Sequence, residues 1–146
     1  MDSNISFSKI VATPTLKSWS QAYNAGKLFA VLSLAKTKDL PEIESLNMLG
    51  RDLLERLEQE FFVIEDKNLE SIKKAVSVTF ENIPESAAIS FAAGALVNPA
   101  PTGCGVNNIL YLFGMGNSKV FIKRNGNFGL ALDCENADFE NVASSS

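Results

Sequence analysis

Residues 107–132 read NNILYLFGMGNSKVFIKRNGNFGLAL, a stretch in which apolar-rich runs alternate with glycine-bearing turns. Its apolar-rich runs predict three β-strands, at 109–113, 119–123 and 128–132. Asn125-Gly126 separates the second run from the third, and Asn-Gly is a strong hairpin signal because both residues tolerate a positive φ. With a second glycine-bearing turn at 114–117, the stretch predicts an antiparallel meander of three consecutive strands.

Three more strands are predicted upstream of this stretch. Residues 5–12, ISFSKIVA, alternate apolar and polar side chains and end before Thr13-Pro14, where proline cannot donate to a sheet. Residues 27–35 and 87–97 are apolar enough to be buried on both faces of a sheet. Within 87–97, Gly94 predicts a bulge or a close approach of other backbone.

Between the first two predicted strands, residues 17–26 are expected to form a loop. It contains Trp19 and Tyr23, for which two roles remain open. The pair could form a recognition patch, or it could pack at the edge of the core with its polar atoms in water, which is the more common arrangement for such aromatic residues.

Two helices are predicted in the middle of the chain. The first begins near Asp39 as cap and Pro41 at the first helical position, and its apolar residues recur every three or four positions as far as Phe61. The second covers residues 68–80, with Asp66 or Asn68 as its cap.

These elements predict an α+β fold in the order ββααββββ, a mainly antiparallel sheet with two consecutive helices packed on one face. The 146 residues suit a single domain, 1–146. We expect residues 135–146 to form a poorly ordered tail without a closing element, and the domain to be part of a longer chain or to stand alone.

Composition excludes several functions. A formal charge of −4 without a basic cluster argues against nucleic acid as a partner. No apolar run is long enough to cross a membrane and no leader is evident, so we expect a soluble, cytoplasmic protein. The chain has no histidine, which removes imidazole metal sites and histidine acid–base catalysis.

Cysteines and carboxylates give no stronger indication of a site. Cys104 and Cys134 are too few for a disulfide framework or a four-cysteine zinc site, and we expect both thiols to be reduced. Two acidic clusters would suit Mg²⁺ or Mn²⁺, but their positions on a helix surface and in the tail favour a solvated role. Their members are Glu55, Glu58, Glu60, Asp133, Glu135 and Asp138.

Residues 116–126, GNSKVFIKRNG, resemble the metal-dependent protein phosphatases of the PPM, or protein phosphatase 2C, family in a degenerate and truncated form. In that family an apolar strand leads into a Gly-Asp-Ser-Arg segment, and a hairpin with an Arg-x-Gly turn follows. The matching residues here are Gly116, Asn117, Ser118, Lys119 and Gly126. Asn117 stands at the aspartate position and Lys119 at the arginine position.

The resemblance implies a β-sandwich flanked by helices, and it also shows what this chain lacks. Residues 27–34 would correspond to the strand that runs into the family's metal-binding Asp-Gly-x-Gly-Gly motif, yet residues 32–36 read LSLAK. The arginine and acidic ligand of the family's first strand have no counterpart in residues 5–17. The family's later metal aspartates would fall beyond Ser146.

We therefore predict a catalytically inactive PPM-like domain, a pseudophosphatase without catalytic, cofactor-binding or metal-binding residues, that acts as a protein-binding or regulatory module. Its motif-matching residues would serve only to hold a hairpin. The protein partner is unknown, and uncovered sheet edges favour self-association. Two alternatives are an active Mg²⁺- or Mn²⁺-dependent phosphoserine/phosphothreonine phosphatase completed by a segment outside this chain, and a structural domain without enzymatic role.

Overall fold

The computed structural model describes residues 8–37, 45–84, 86–98 and 109–145. Within these ranges the chain forms seven strands and two helices, which confirms the predicted α+β class. The order agrees with the prediction except for one additional strand at the end of the described chain. The elements are β1 (Ser18–Asn24), β2 (Leu28–Lys36), α1 (Leu46–Phe62), α2 (Leu69–Phe80), β3 (Ala87–Val97), β4 (Ile109–Met115), β5 (Lys119–Arg124), β6 (Asn127–Asp133) and β7 (Ala143–Ser145).

The strands form a five-stranded sheet in the order β1-β2-β3-β4-β7 and a separate two-stranded sheet, β5-β6. Every strand pair is antiparallel. Both helices cover one face of the larger sheet, as predicted, and the main core lies between them and the sheet. Its largest fully buried side chains include Phe61, Phe80, Phe91 and Phe113.

Each helix begins at a side chain that caps it. Ser45 precedes α1 and its side chain accepts a hydrogen bond from the backbone N–H of Met48, which satisfies one of the free donors at a helix start. Asn68 and Ser71 form a reciprocal capping box at the start of α2. Asn68 was one of the two predicted caps; the predicted start of the first helix at Asp39 and Pro41 lies outside the described residues, and the cap of α1 is Ser45.

The β5–β6 hairpin lies over the other face of the five-stranded sheet. Leu112 of β4, Leu132 of β6 and Cys134 form a second, smaller buried cluster there. The hairpin covers only part of this face. Val31 on β2 lies outside the covered part and is 52% exposed. The sheet therefore has one fully covered face and one partly covered face.

The prediction for the first strand was wrong. Residues 8–12, the described part of predicted strand 5–12, form no strand, and Ile10 is fully exposed. The predicted loop at 17–26 instead contains β1. Trp19 is 4% exposed because its ring packs in the core and its indole N–H donates to Asn47 Oδ1 at 3.1 Å. Of the two roles left open for Trp19, packing in the core is confirmed, but the expectation that its polar atom lies in water is wrong, because the indole N–H bonds to Asn47.

The predicted burial of β2 and the predicted bulge at Gly94 were also wrong. In β2 every second side chain is buried and the others face outward, so only one face of this strand is covered along its length. Gly94 keeps a regular register opposite Phe29 and Leu112. A Cβ at this position would make ordinary contacts of 3.5 Å with leucine side chains, so no backbone crowding requires the glycine.

The predicted three-stranded meander is wrong as well, because β4 and β5 belong to different sheets. The turn after β4 carries the chain from the larger sheet to the hairpin instead of folding it back. Residues 135–145, expected to lack a closing element, include β7, which pairs with β4 at Leu112, Phe113 and Gly114. None of the helices in the described residues is long and apolar enough to cross a membrane.

Candidate functional site

Gly116 lies where the chain leaves β4 and turns toward the hairpin. Its φ of +77° is in the left-handed region, which glycine adopts without steric cost. A Cβ at this position would also collide with the backbone carbonyl oxygen of Ile89 on β3. The backbone N–H of Gly116 donates to the carbonyl of Ala137 at 3.0 Å. The turn therefore requires glycine for both its conformation and its close packing.

The next two motif residues are tied to β3. The backbone N–H of Asn117 donates to Ser90 Oγ at 3.3 Å, and Asn117 is exposed. The hydroxyl of Ser118 is 2.7 Å from the carbonyl oxygen of Phe91 and 3.2 Å from that of Met115, and it donates to these acceptors. Both residues thus hold in place the segment 116–119 that connects the two sheets, which we call the crossing.

Lys119 begins β5 and lies 3.9 Å from Asp133 Oδ2 in a partly exposed salt bridge. These two residues line a shallow surface depression of about 420 Å³ together with Asn117, Ser118 and Glu135. Within the described residues, no three acidic, cysteine or histidine side chains converge in a way that would hold a metal ion.

Gly126 is separated from the other motif residues by the length of β5. The strand has six residues, which span about 20 Å at the usual rise per residue. Asn125 and Gly126 have φ values of +53° and +81°, as the predicted two-residue hairpin turn requires. This turn is confirmed, and the five motif residues form two separate structural features: a crossing at 116–119 and a hairpin turn at 126.

The resemblance locates a metal-binding loop near the end of β2. Residues 33–35 instead lie within this strand, between two partner strands. Ser33, Leu34 and Ala35 pair with β1 on one side and with β3 on the other. Ser33 Oγ also exchanges a hydrogen bond of 3.0 Å with Ser20 Oγ on β1. The backbone here is fully engaged in the sheet.

Ser90 connects this segment with Asn117. Ser33 lies directly opposite Ser90 in the β2–β3 register, and the hydroxyl of Ser90 accepts from the Asn117 N–H. Ser20, Ser33, Ser90 and Asn117 therefore form a continuous row of neutral polar residues, which we call the serine row. The row was not predicted from the sequence, although the two-residue period of β1 and β2 places Ser20 and Ser33 on the outward face.

Cys134 is fully buried beneath Gly114, where a Cβ would lie only 2.7 Å from its Sγ. Burial raises the pKa of this thiol, and its hydrogen bond with Ser118 opposes the shift. A buried, protonated thiol is a poor nucleophile. Cys104 lies outside the described residues, so the expected reduced state of the two cysteines stays a prediction.

The outer surface of the hairpin is unusually apolar. Phe121, Phe128 and Leu130 are exposed by 60%, 73% and 52%. Beside them a groove of about 670 Å³ separates the hairpin from β4 and β7, and among the described residues that line it Arg124 is the one that carries a charge. We call it the hairpin groove.

Fold and site together define an α+β domain with a neutral polar row and a hairpin over one sheet face. No family model and no curated protein matches the chain. Among solved structures, the chain is similar to the crystal structure of the PPM Ser-Thr phosphatase MsPP from Mycobacterium smegmatis in complex with cacodylate, with a TM-score of 0.49 and 18% sequence identity over 76% of this chain. The match covers 44% of that phosphatase, so this chain spans less than half of its length.

Proposed function

We propose that the chain is a catalytically inactive, PPM-phosphatase-like domain that serves as a protein-binding or regulatory module. The observation that carries the proposal is the serine row. The sequence resemblance locates metal-binding carboxylates at the end of β2 and an aspartate at position 117, and the row supplies hydroxyl and amide groups at both places.

These groups are unsuited to a bimetal centre. Two divalent cations need several carboxylates to offset their charge and to activate water. Ser33 and Asn117 are neutral, and the nearby Lys119 adds a positive charge that repels a cation at short range. Their hydrogen bonds instead connect β1 with β2 and β3 with the crossing, which supports a structural role.

The apolar hairpin surface supports a binding role. Phe121, Phe128 and Leu130 share one small two-stranded sheet, and Lys123 lies 5.3 Å from the ring centre of Phe128. Contiguous exposed apolar side chains mark surfaces that bind another protein, and aromatic residues are enriched in such surfaces.

The proposal is tested by assaying phosphate release from p-nitrophenyl phosphate and from a phosphoserine peptide with Mn²⁺ and with Mg²⁺. We expect no release above a control without protein. Release that scales with protein concentration would contradict the proposal. Asn117→Ala serves as the control for contamination, because a contaminating phosphatase is indifferent to this substitution, whereas activity of the chain itself at this site is not.

A further inference from the structure

Asn125 and Gly126 form the tip of the β5–β6 hairpin. They join two strands whose register sets Arg124 opposite Asn127, and both are exposed. They are also the one Asn-Gly pair in the sequence. Asparagine is thermally labile, because the backbone nitrogen of the next residue can attack its side-chain amide, and glycine has no side chain to hinder this approach. The tip of the hairpin therefore holds both partners of an intramolecular reaction.

The backbone nitrogen of Gly126 is free to react. Among the described residues its N–H donates to no acceptor, and a Cβ at this position would meet no atom within 4 Å, so the space around it is open. The nitrogen becomes a nucleophile when it loses its proton, and a hydrogen bond made through that proton would oppose the loss. In the described turn no such bond stands in the way.

Asn136 gives a comparison within the same chain. Both asparagines are exposed and have a left-handed backbone, with φ of +53° at Asn125 and +66° at Asn136. The N–H that follows Asn136 belongs to Ala137 and donates to the carbonyl oxygen of Cys134 at 3.0 Å. Ala137 also carries a methyl group, which glycine lacks. The two sites thus share conformation and exposure and differ in the nucleophile.

We propose that Asn125 is a modification site, at which the folded chain deamidates to aspartate and isoaspartate without an enzyme. The Gly126 nitrogen forms a bond to Cγ of Asn125, and the side-chain nitrogen leaves as ammonia with the proton that the Gly126 nitrogen gives up. The product is a cyclic succinimide. One water molecule then opens the ring: aspartate forms when the bond from Cγ to nitrogen breaks, and isoaspartate forms when the backbone bond breaks.

The two products have different consequences for the hairpin. Aspartate before glycine suits the same two-residue turn, so this product keeps the hairpin and adds one negative charge beside Arg124. Isoaspartate leads the main chain through the side chain and lengthens it by a methylene group, which a two-residue turn in this register does not accommodate. Because Arg124 and Asn127 line the hairpin groove, both products change the end of that groove.

The test incubates the full chain in mildly alkaline buffer made with heavy-oxygen water. The chain is then digested in ordinary water, and its peptides are analysed by mass spectrometry with fragmentation that separates aspartate from isoaspartate. Only deamidation before digestion incorporates the heavy isotope. We expect labelled product at Asn125 to form at least about tenfold faster than at Asn136, a difference in activation free energy of about 1.4 kcal/mol.

Variants of the hairpin separate the chemistry from the fold. Gly126→Ala hinders the attacking nitrogen and should slow the reaction at Asn125 about tenfold. Gly129→Ala, the matched change on β6 outside the turn, should leave the rate unchanged. Asn125→Asp supplies the aspartate product directly. The isoaspartate form, purified by ion exchange, should exchange its β5 and β6 amide hydrogens faster than Asn125→Asp, and equal exchange would overturn the proposed effect on the hairpin.

Three results would each overturn the modification itself. Equal rates at Asn125 and Asn136 would show that the free nitrogen of Gly126 has no effect. An unchanged rate in Gly126→Ala would show that this nitrogen is not the nucleophile. A rate at Asn125 that rises more than about tenfold when urea unfolds the chain would show that the turn protects the asparagine. None of these results depends on whether the chain releases phosphate, so this inference stands or falls separately from the proposed function.

Discussion

At the scale of single residues, Gly50 sets the distance between α1 and the sheet. The indole ring of Trp19 lies directly against its Cα, where a side chain would collide with the ring. Glycine inside a helix costs about 1 kcal/mol relative to alanine. Burial of Trp19 and its hydrogen bond to Asn47 offset this cost.

Replacing Gly50 by alanine should therefore destabilise the protein despite the better helix propensity of alanine. We expect a loss of about 1–3 kcal/mol from overpacking, measured by urea unfolding. In Trp19→Leu/Gly50→Ala the smaller side chain leaves room for the methyl group, so the double variant should lose less than the sum of the single variants. If Gly50→Ala were more stable than the unchanged chain, the indole ring of Trp19 could not lie against α1 at this position.

Tyr23 couples stability to pH. Burial raises the pKa of its phenol, and a hydrogen bond to Glu58 and the charge of Glu58 raise it further. The folded chain therefore keeps this proton when the unfolded chain has lost it. The contribution to stability is complete below the unfolded pKa of about 10 and is lost as the pH rises toward the folded pKa.

We expect Tyr23→Phe to lose less stability than the unchanged chain between about pH 9 and pH 11, because it lacks this titrating group. Urea midpoints measured across that range give the comparison. Other alkaline groups titrate in both proteins, so only the difference between them matters. If the urea midpoints of the two proteins fell in parallel as the pH rises, the pKa of Tyr23 would be the same in the folded and the unfolded chain.

At the scale of elements, local sequence patterns predicted whether a segment forms a helix or a strand better than they predicted which strands pair with each other. The periodicity of apolar residues located both helices, and Asn125-Gly126 located the β5–β6 turn. The same local signals could not show that β4 pairs with β7 instead of β5, because strand choice depends on contacts distant in sequence. β1 was missed because its burial depends on Trp19 meeting Asn47 and Gly50, which lie on a helix far along the chain.

The same limit applied to the candidate site. Position 117 was identified from a local motif, whereas the hydrogen bonds of the serine row join residues on different strands and become visible only with the sheet register.

The hairpin turn allows a direct comparison of two glycines. Gly126 has a φ of +81°, and a Cβ there would meet no atom within 4 Å, so only the backbone conformation opposes a side chain. We expect Gly126→Ala to cost about 1–2 kcal/mol in urea unfolding. Gly129 on β6 is equally open and has no positive φ, so Gly129→Ala should have little effect. Equal losses at both positions would contradict the role of the turn.

At the scale of the whole molecule, metal binding would be visible as thermal stabilisation. A ligand that binds the folded state alone adds about 2.7 kcal/mol at a hundredfold excess over its Kd. Because the serine row is neutral, we expect Mn²⁺ and Mg²⁺ to leave the melting temperature unchanged. Asn117→Asp is a second test, because one added carboxylate is too few for a bimetal centre and should still leave the melting temperature unchanged by either metal. A metal-dependent rise in the melting temperature of the unchanged chain would contradict the proposed lack of a metal site.

The two buried clusters differ greatly in size. We therefore expect the smaller part, the hairpin, to open more often than the main part of the domain. The main core joins both helices to four strands, whereas the hairpin is held by a cluster built around Leu112, Leu132 and Cys134. Subglobal opening follows such divisions. Amide hydrogens of β5 and β6 should therefore exchange with solvent through detachment of the hairpin, well before those of β2 and β3, which require the whole domain to unfold.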